Sequence, residues 1–190
     1  SEHGVSGNYG ILDQIQALKW IHENIAQFGG DPDNVMIFGQ SAGSRSVKFL
    51  CSSPLTKGLF NKAVIMSGSG LVKPRSNSMG MQQSMTTLAQ AEASAKEVMD
   101  WANLKTLSQM RNAGTETVFA LPTIYQQVTG KRSILTAAPI SPYIDGYTLP
   151  ESFDDACLDN SLAQVPYLIG YTLNDAGNMG TQIVDFCRNR

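Results

Sequence analysis

A serine flanked by glycines is the part of this sequence best suited to covalent chemistry: Gly39-Gln40-Ser41-Ala42-Gly43. A sharp turn between a buried strand and a helix would expose the Ser41 hydroxyl as a nucleophile, with room supplied by Gly39 and Gly43. The Ala42 N–H, at the start of the helix, would then stabilise an oxyanion on an acyl group. The alternative is an ordinary strand-to-helix turn whose glycines only relieve strain.

Apolar periodicity predicts the elements that would position this serine. Residues 13–28 have apolar side chains at three- and four-residue steps, which predicts an amphipathic helix that stops at Gly29 and Gly30. A helix is also expected directly after the turn at Ser41, called the elbow below, over residues 44–51. Three apolar runs bounded by turn residues are typical of parallel strands buried on both faces: residues 35–38, 63–66 and 165–171.

The segment between the second and third strands has a different pattern, rich in Met, Gln and Ala. Three helices with no strand among them are predicted over residues 86–101, 104–111 and 115–127, and a short helix over residues 152–158. The sequence therefore predicts an α/β protein with about three parallel central strands, helices on both sides of the sheet, and a helical insertion.

Composition excludes several kinds of partner. The 190 residues have a formal net charge of -2, which offers no electrostatic attraction to nucleic acid or to an anionic membrane. No apolar run approaches the ~20 residues needed to span a bilayer. The odd number of cysteines, Cys51, Cys157 and Cys187, shows no metal-ligand spacing. Reduced thiols favour a cytoplasmic origin, although secretion is not excluded.

Nine short segments of the chain together form a recognisable pattern. They are GNYGILDQ at 7–14, ALKWI at 17–21, FGGDP at 28–32, FGQSAG at 38–43, PL at 54–55, KGLF at 57–60, MSGS at 66–69, IDGYTLP at 144–150 and VPYLIG at 165–170. These segments resemble the type-B carboxylesterases, a family that includes para-nitrobenzyl esterases, cholinesterases and neuroligins. Gln40 stands where that family most often has glutamate, and Ser44 where it has a further glycine. The resemblance is dense over residues 1–70 and 140–177.

This resemblance implies the central part of a single α/β-hydrolase domain. Residues 1–72 would form the elbow region, residues 73–130 the helical insertion bordering the active-site gorge, and residues 131–190 the region of the acid loop. The Gly-Gly segment that completes the family's oxyanion hole would precede the first residue. The sheet's edge strands would then expose unpaired backbone groups, so we expect self-association or pairing with further segments of the parent protein.

The resemblance also implies the other members of a catalytic triad. Asp175, in a loop after the third strand, would be the acid, although the family usually has glutamate there. A turn aspartate bonding its own backbone is the alternative. Asp145 competes for the role, but its surroundings resemble a structural turn of the family. Ser67 resembles a hydroxyl that supports the acid, and a plain turn serine remains open.

A usable catalytic histidine is not found. His22 is expected on the outer face of the first helix, and His3 precedes the nucleophile, whereas the family's histidine follows the acid. Serine without a base is a poor nucleophile at neutral pH.

The expected function is therefore that of a serine carboxylic-ester hydrolase in the full-length parent, with no metal or cofactor. The chain alone should be inactive or nearly so. A non-catalytic binding or adhesion module like the neuroligins, and amide or lactone hydrolysis, are the alternatives.

Overall fold

A computed structural model of the chain describes residues 4, 6–68, 85–131 and 141–172. The chain divides into two compact units, one of Ser1–Ser84 with Ile144–Arg190 and one of Met85–Tyr143. The predicted segments 1–72, 73–130 and 131–190 stay predictions. The helices and strands, in chain order, are α1 Tyr9–Asn24, β1 Met36–Gln40, α2 Ala42–Ser52, β2 Lys62–Met66, α3 Leu88–Trp101, α4 Leu107–Ala113, α5 Thr115–Thr129, α6 Phe153–Leu158 and β3 Tyr167–Gly170.

Helix α1 begins earlier than its apolar pattern predicts and also ends earlier. Asn8 takes a left-handed conformation (φ 51°), which asparagine tolerates, and its carbonyl accepts the N–H groups of Ile11 and Leu12. The helix therefore starts at Tyr9. Residues Ile25–Phe28 form a separate 3-10 turn that Gly29 closes with φ 82°. The prediction of one helix over residues 13–28 is wrong at both ends, because apolar spacing does not report backbone turns.

The three strands form one parallel sheet, as predicted, and their order in it is β1-β2-β3. Gln40 at the end of β1 is aligned with Met66 at the end of β2, and Met66 is aligned with Gly170 of β3. The residues that follow the three strands therefore meet at one edge of the sheet. That edge includes Ser41.

One face of the sheet is packed by helices. Ile37, Ala63 and Ile65 point into the main core, which they share with α1, α2 and α6. Helix α2 lies against both β1 and β2. The residues of this core are Ile11, Ile15, Leu18, Ile37, Val47, Leu50, Cys51, Phe60, Ala63, Ile65 and Phe153. The flanking helices expected from the sequence are confirmed on this side.

The opposite face is uncovered by the described residues. Phe38 and Leu168 are 66% and 67% exposed, and Met36 is exposed beside them. Phe38, Val64 and Leu168 are aligned across the three strands and alternate with the buried residues, so they share this face. The expectation of strands buried on both faces, with helices on both sides, is therefore wrong for the described residues. Apolar composition shows that a face needs a cover, not which residues supply it.

The second unit is helical in its described residues. Val98, Met99, Leu121 and Tyr125 form its core between α3 and α5. Helices α3 and α4 begin one residue after Thr87 and Thr106, which cap them through reciprocal bonds with Gln90 and Gln109. These caps explain why both helices start later than their apolar patterns predict.

No helix in the described part of the chain is both long enough and apolar enough to cross a bilayer.

Candidate active site

Ser41 occupies a strained turn between β1 and α2. Its backbone has φ 53° and ψ -113°, a conformation that costs a non-glycine residue about 1–3 kcal/mol. The turn is held from both sides, because the Ser41 N–H donates to the Met66 carbonyl at 3.0 Å and its carbonyl accepts the Arg45 N–H at 3.1 Å. Such strain persists only where the surroundings enforce it, which is typical of functional residues.

The Ser41 side chain is exposed and is not used by the helix. Ser41 is the N-cap residue of α2, where serine normally accepts a hydrogen bond from the first turn, yet it makes no such bond. The turn therefore presents the hydroxyl at the carboxyl end of the sheet without engaging it in a cap. This is the arrangement that the sequence motif predicts for a nucleophile.

Gly39 is required by a close backbone approach. A Cβ placed on Gly39 would lie 2.3 Å from the carbonyl carbon and oxygen of Gly43 and 2.8 Å from the Ser44 nitrogen. A Cβ on Gly43 would meet nothing within 4 Å among the described residues. Among the described residues a close approach is therefore found at Gly39, and the expectation that Gly43 also supplies room stays a prediction.

Ala42 and Gln40 flank the nucleophile on the exposed rim. Ala42 is the first residue of α2, so its N–H is among the amides that lack an intrahelical acceptor, at the positive end of the helix dipole. That placement suits an oxyanion donor, and the role itself stays a prediction. Gln40 is the last residue of β1, and its side chain is exposed.

Ser44 is a component of the site that sequence reasoning missed. Its hydroxyl donates to the Ser41 carbonyl at 2.7 Å, and the residue has no exposed surface. Its side chain packs against Gly68, where an added Cβ would lie 2.4 Å from the Ser44 Oγ. The signal in the sequence was the departure from the family's glycine at this position.

Ser67 lies beside the elbow at the same edge of the sheet. It follows β2 directly, has φ 52°, and donates its N–H to the Gly170 carbonyl at 2.9 Å. Ser41 and Ser67, which follow two paired strands, both have a positive φ. This edge is therefore the most strained part of the described sheet. The support of an acid by the Ser67 hydroxyl stays a prediction.

The Asp145 carboxylate is hydrogen-bonded within its own turn. Its carboxylate accepts the N–H groups of Tyr147 at 3.0 Å and Leu149 at 2.9 Å, and the Asn8 side-chain amide at 2.9 Å. Burial alone would raise the pKa of Asp145, but the Leu149 and Tyr147 N–H groups and the Asn8 amide hold it below its ordinary value. These bonds leave Asp145 as a structural residue of the turn rather than a catalytic acid.

The remaining triad predictions fall largely outside the described residues. Asp175 and His3 are not among them, and Asp175 follows the end of β3 by five positions in the sequence. His22 is exposed on α1, as expected from its place on the outer face of the predicted helix.

A buried amine lies about two turns beyond the elbow on α2. Lys48 is almost fully buried, with its Nζ 5.3 Å from the centre of the Phe153 ring. Burial lowers the pKa of Lys48 to about 8, with the Asp154 carboxylate opposing that shift and the Arg45 guanidinium adding to it. The apolar pattern of α2 does not predict a buried charge at this position.

A comparison with protein families finds that the model described as "Carboxylesterase family" matches residues 1–188. The chain is 35% identical over 170 residues to the fumonisin B1 esterase of Sphingopyxis macrogoltabida, covering 90% of this chain and 28% of that protein. It is 33% identical over 174 residues to the para-nitrobenzyl esterase of Bacillus subtilis, covering 90% of this chain and 32% of that protein.

Solved structures give the same result at the level of the fold. A thermophilic para-nitrobenzyl esterase superposes with a TM-score of 0.69 at 32% identity, covering 90% of this chain and 33% of that one. A carboxylesterase of Geobacillus stearothermophilus superposes with a TM-score of 0.61 and covers 95% of this chain and 35% of its own. The chain thus spans about a third of the length of these relatives.

Proposed function

Because this chain belongs to the carboxylesterase family, we propose that Ser41 is the nucleophile of a carboxylic-ester hydrolase that works through an acyl-enzyme. The observation that carries the proposal is the strained turn at Ser41, whose hydroxyl is exposed and makes no capping hydrogen bond. A residue that only connected a strand to a helix would have no need of that strain. The esterase activity of the relatives agrees with this assignment.

The proposed reaction has two steps. The Ser41 Oγ forms a bond to the ester carbonyl carbon while a base removes the hydroxyl proton, and the Ala42 N–H stabilises the resulting oxyanion. Collapse of this intermediate releases the alcohol, which takes the proton from the base. Water then attacks the acyl group in the same way and frees the carboxylic acid. A histidine oriented by Asp175 would be the base.

We further propose that the 190-residue chain by itself is inactive or nearly so. His22 is exposed on α1, and neither it nor His3 has the chain position of the family's histidine. Loss of the base in a serine triad typically costs several orders of magnitude in rate. The activity would then belong to a protein of the relatives' length.

Imidazole, supplied in solution as the missing base, tests both proposals. Hydrolysis of para-nitrophenyl acetate and butyrate is measured for the chain and for Ser41→Ala, with and without imidazole. We expect equal rates without imidazole, and with it an acetyl group on Ser41 that mass spectrometry detects and the variant lacks. Ser41-dependent turnover without imidazole would show that the chain has its own base. Absence of the adduct at every imidazole concentration would contradict the nucleophile assignment.

We propose that the isolated chain self-associates through the uncovered sheet. Strands β1 and β3 are the two edges of the described sheet, and the aligned residues Phe38 and Leu168 are exposed on its open face. Leu168→Glu should shift the chain toward monomer in analytical ultracentrifugation. Leu158→Glu is the matched control, because Leu158 is equally exposed at 67% but lies on α6. A folded monomer of the unaltered chain would contradict the proposal.

A reducing compartment is the proposed location. Cys51 is buried and Cys157 exposed, and both are free thiols. Free exposed thiols persist in the cytoplasm and tend to oxidise outside it. Mass spectrometry of the protein taken directly from cells under acid quench would detect Cys157 as a thiol, and a disulfide there would contradict the proposal.

A further inference from the structure

A hydrogen-bonded and packed link joins the ends of all three strands at the candidate site. The Ser44 hydroxyl donates to the Ser41 carbonyl at 2.7 Å. The Ser44 side chain is packed against Gly68, so closely that a Cβ on Gly68 would lie 2.4 Å from the Ser44 Oγ and 3.1 Å from its Cβ. The Tyr171 hydroxyl donates to the Gly68 carbonyl. Ser41, Gly68 and Tyr171 follow β1, β2 and β3 in turn.

The link acts on a backbone that needs support. The Ser41 backbone is held in a conformation that residues other than glycine rarely adopt. Its carbonyl is one of the groups through which neighbouring residues hold it there. The buried Ser44 hydroxyl doubles the hydrogen bonding at that carbonyl, beside the Arg45 N–H. Gly68 packs against the Ser44 side chain and restricts its movement. Gly68 is in turn held by the hydrogen bond from the Tyr171 hydroxyl to its carbonyl.

We propose that Ser44 and Tyr171 are positioning residues that hold the Ser41 hydroxyl in place relative to the ends of β2 and β3. This inference rests on the proposed role of Ser41 as nucleophile. Tyr171 precedes Asp175, the predicted acid, by only four positions in the sequence. A link from the Ser41 backbone to the end of β3 limits the displacement of the proposed nucleophile relative to the sheet. Catalytic groups need such support, because displacement by about 1 Å can cost on the order of a hundredfold in rate.

Tyr171→Phe removes only the hydroxyl, and Tyr167→Phe is its matched control. Tyr167 is the first residue of β3, the strand that Tyr171 follows, and its hydroxyl also donates to a backbone carbonyl, that of Ala163 at 2.7 Å. Ser44→Ala is the second variant, since it keeps the Cβ that packs against Gly68 and removes the hydrogen bond. Two readouts are compared in the whole chain: the backbone NMR resonances of Ser41, and the rate of imidazole-assisted acetylation of Ser41 by para-nitrophenyl acetate.

We expect Tyr171→Phe and Ser44→Ala to shift the Ser41 resonances and to slow acetylation about tenfold to a hundredfold, and Tyr167→Phe to do neither. Unchanged Ser41 resonances and rate in both test variants would overturn the inference. Equal changes in all three variants would also overturn it, because they would indicate general loosening. If the unaltered chain is not acetylated, the nucleophile proposal fails, and the resonances alone decide whether the link positions Ser41.

Discussion

The close approach at Gly39 yields the sharpest test of how this elbow is built. In Gly39→Ala the new Cβ would lie 2.3 Å from two backbone atoms of Gly43, whereas ordinary van der Waals contact begins at 3.4 Å. The shortfall of about 1 Å cannot be relieved by rotating a side chain, because the opposing atoms are backbone. Either the end of β1 or the start of α2 must move, and the Ser41–Met66 hydrogen bond resists both movements.

Overpacking usually costs 1–3 kcal/mol where side chains can adjust. Here they cannot, so we expect Gly39→Ala to lower the free energy of unfolding by about 3 kcal/mol or more. For a chain of this length that corresponds to a fall in melting temperature of roughly 6 °C or more. Urea and thermal unfolding followed by circular dichroism, at one protein concentration for all variants, measure both quantities.

Gly43→Ala is the matched control, the same substitution in the same motif. Its Cβ would meet nothing within 4 Å of the described residues, and alanine favours a helix over glycine by up to about 1 kcal/mol. We expect the stability of this variant to be unchanged or slightly raised. Two results would show that the close backbone approach at Gly39 does not exist. One is a free energy of unfolding for Gly39→Ala within about 1 kcal/mol of that of the unaltered chain, and the other is a value no lower than that of Gly43→Ala.

Three further predictions concern ionisable groups elsewhere in the described residues. The unaltered chain should gain about 3 kcal/mol in unfolding free energy relative to Lys48→Met between pH 8 and 10.5, because the lowered pKa of Lys48 makes the unfolded chain bind more protons in that range. Asp145→Asn should cost about 1–3 kcal/mol at pH 7 and less below pH 4, because the lowered pKa of Asp145 contributes stability that is lost as the pH falls through it. Iodoacetamide should label the exposed Cys157 well before Cys51, since burial raises the pKa of Cys51 to about 11.

Each of these predictions has an outcome that contradicts it. A constant stability difference between Lys48→Met and the unaltered chain from pH 8 to 10.5 would show that Lys48 is not desolvated. An Asp145→Asn penalty that does not decrease as the pH falls below 4 would show that packing, rather than charge, holds the turn. Equal labelling of Cys51 and Cys157 in peptide mass spectra would show that the core opens readily.

The order strand, serine, helix could be predicted at the sequence level because it depends on local patterns. The apolar run before Gly39 and the glycines of the motif predict a sharp turn, and the structure has that turn at Ser41. The parallel order of the strands also followed, because a strand–helix–strand unit has few alternative arrangements. Asp145 was separated from the candidate acid by its turn-like sequence, and its three hydrogen bonds agree.

Other features are not contained in the spacing of apolar residues. The apolar spacing of residues 13–28 does not contain the left-handed Asn8 that starts α1 or the 3-10 turn that ends it. The exposed face at Phe38 and Leu168 could not be read from their apolar character, because burial depends on which other segments cover the sheet.

The sequence by itself placed the chain in its family by resemblance, and local patterns of residue types predicted the position of the nucleophile and the class of fold. Only the tertiary structure decided how the elbow is held. Gly39 has no room for a side chain because the backbone of Gly43 comes against it. Ser44 packs against Gly68, whose carbonyl accepts the Tyr171 hydroxyl, so residues from two other strand ends are connected to the elbow. Contacts between strand ends are set by the register of the sheet, and that register is a property of the folded chain rather than of any one segment.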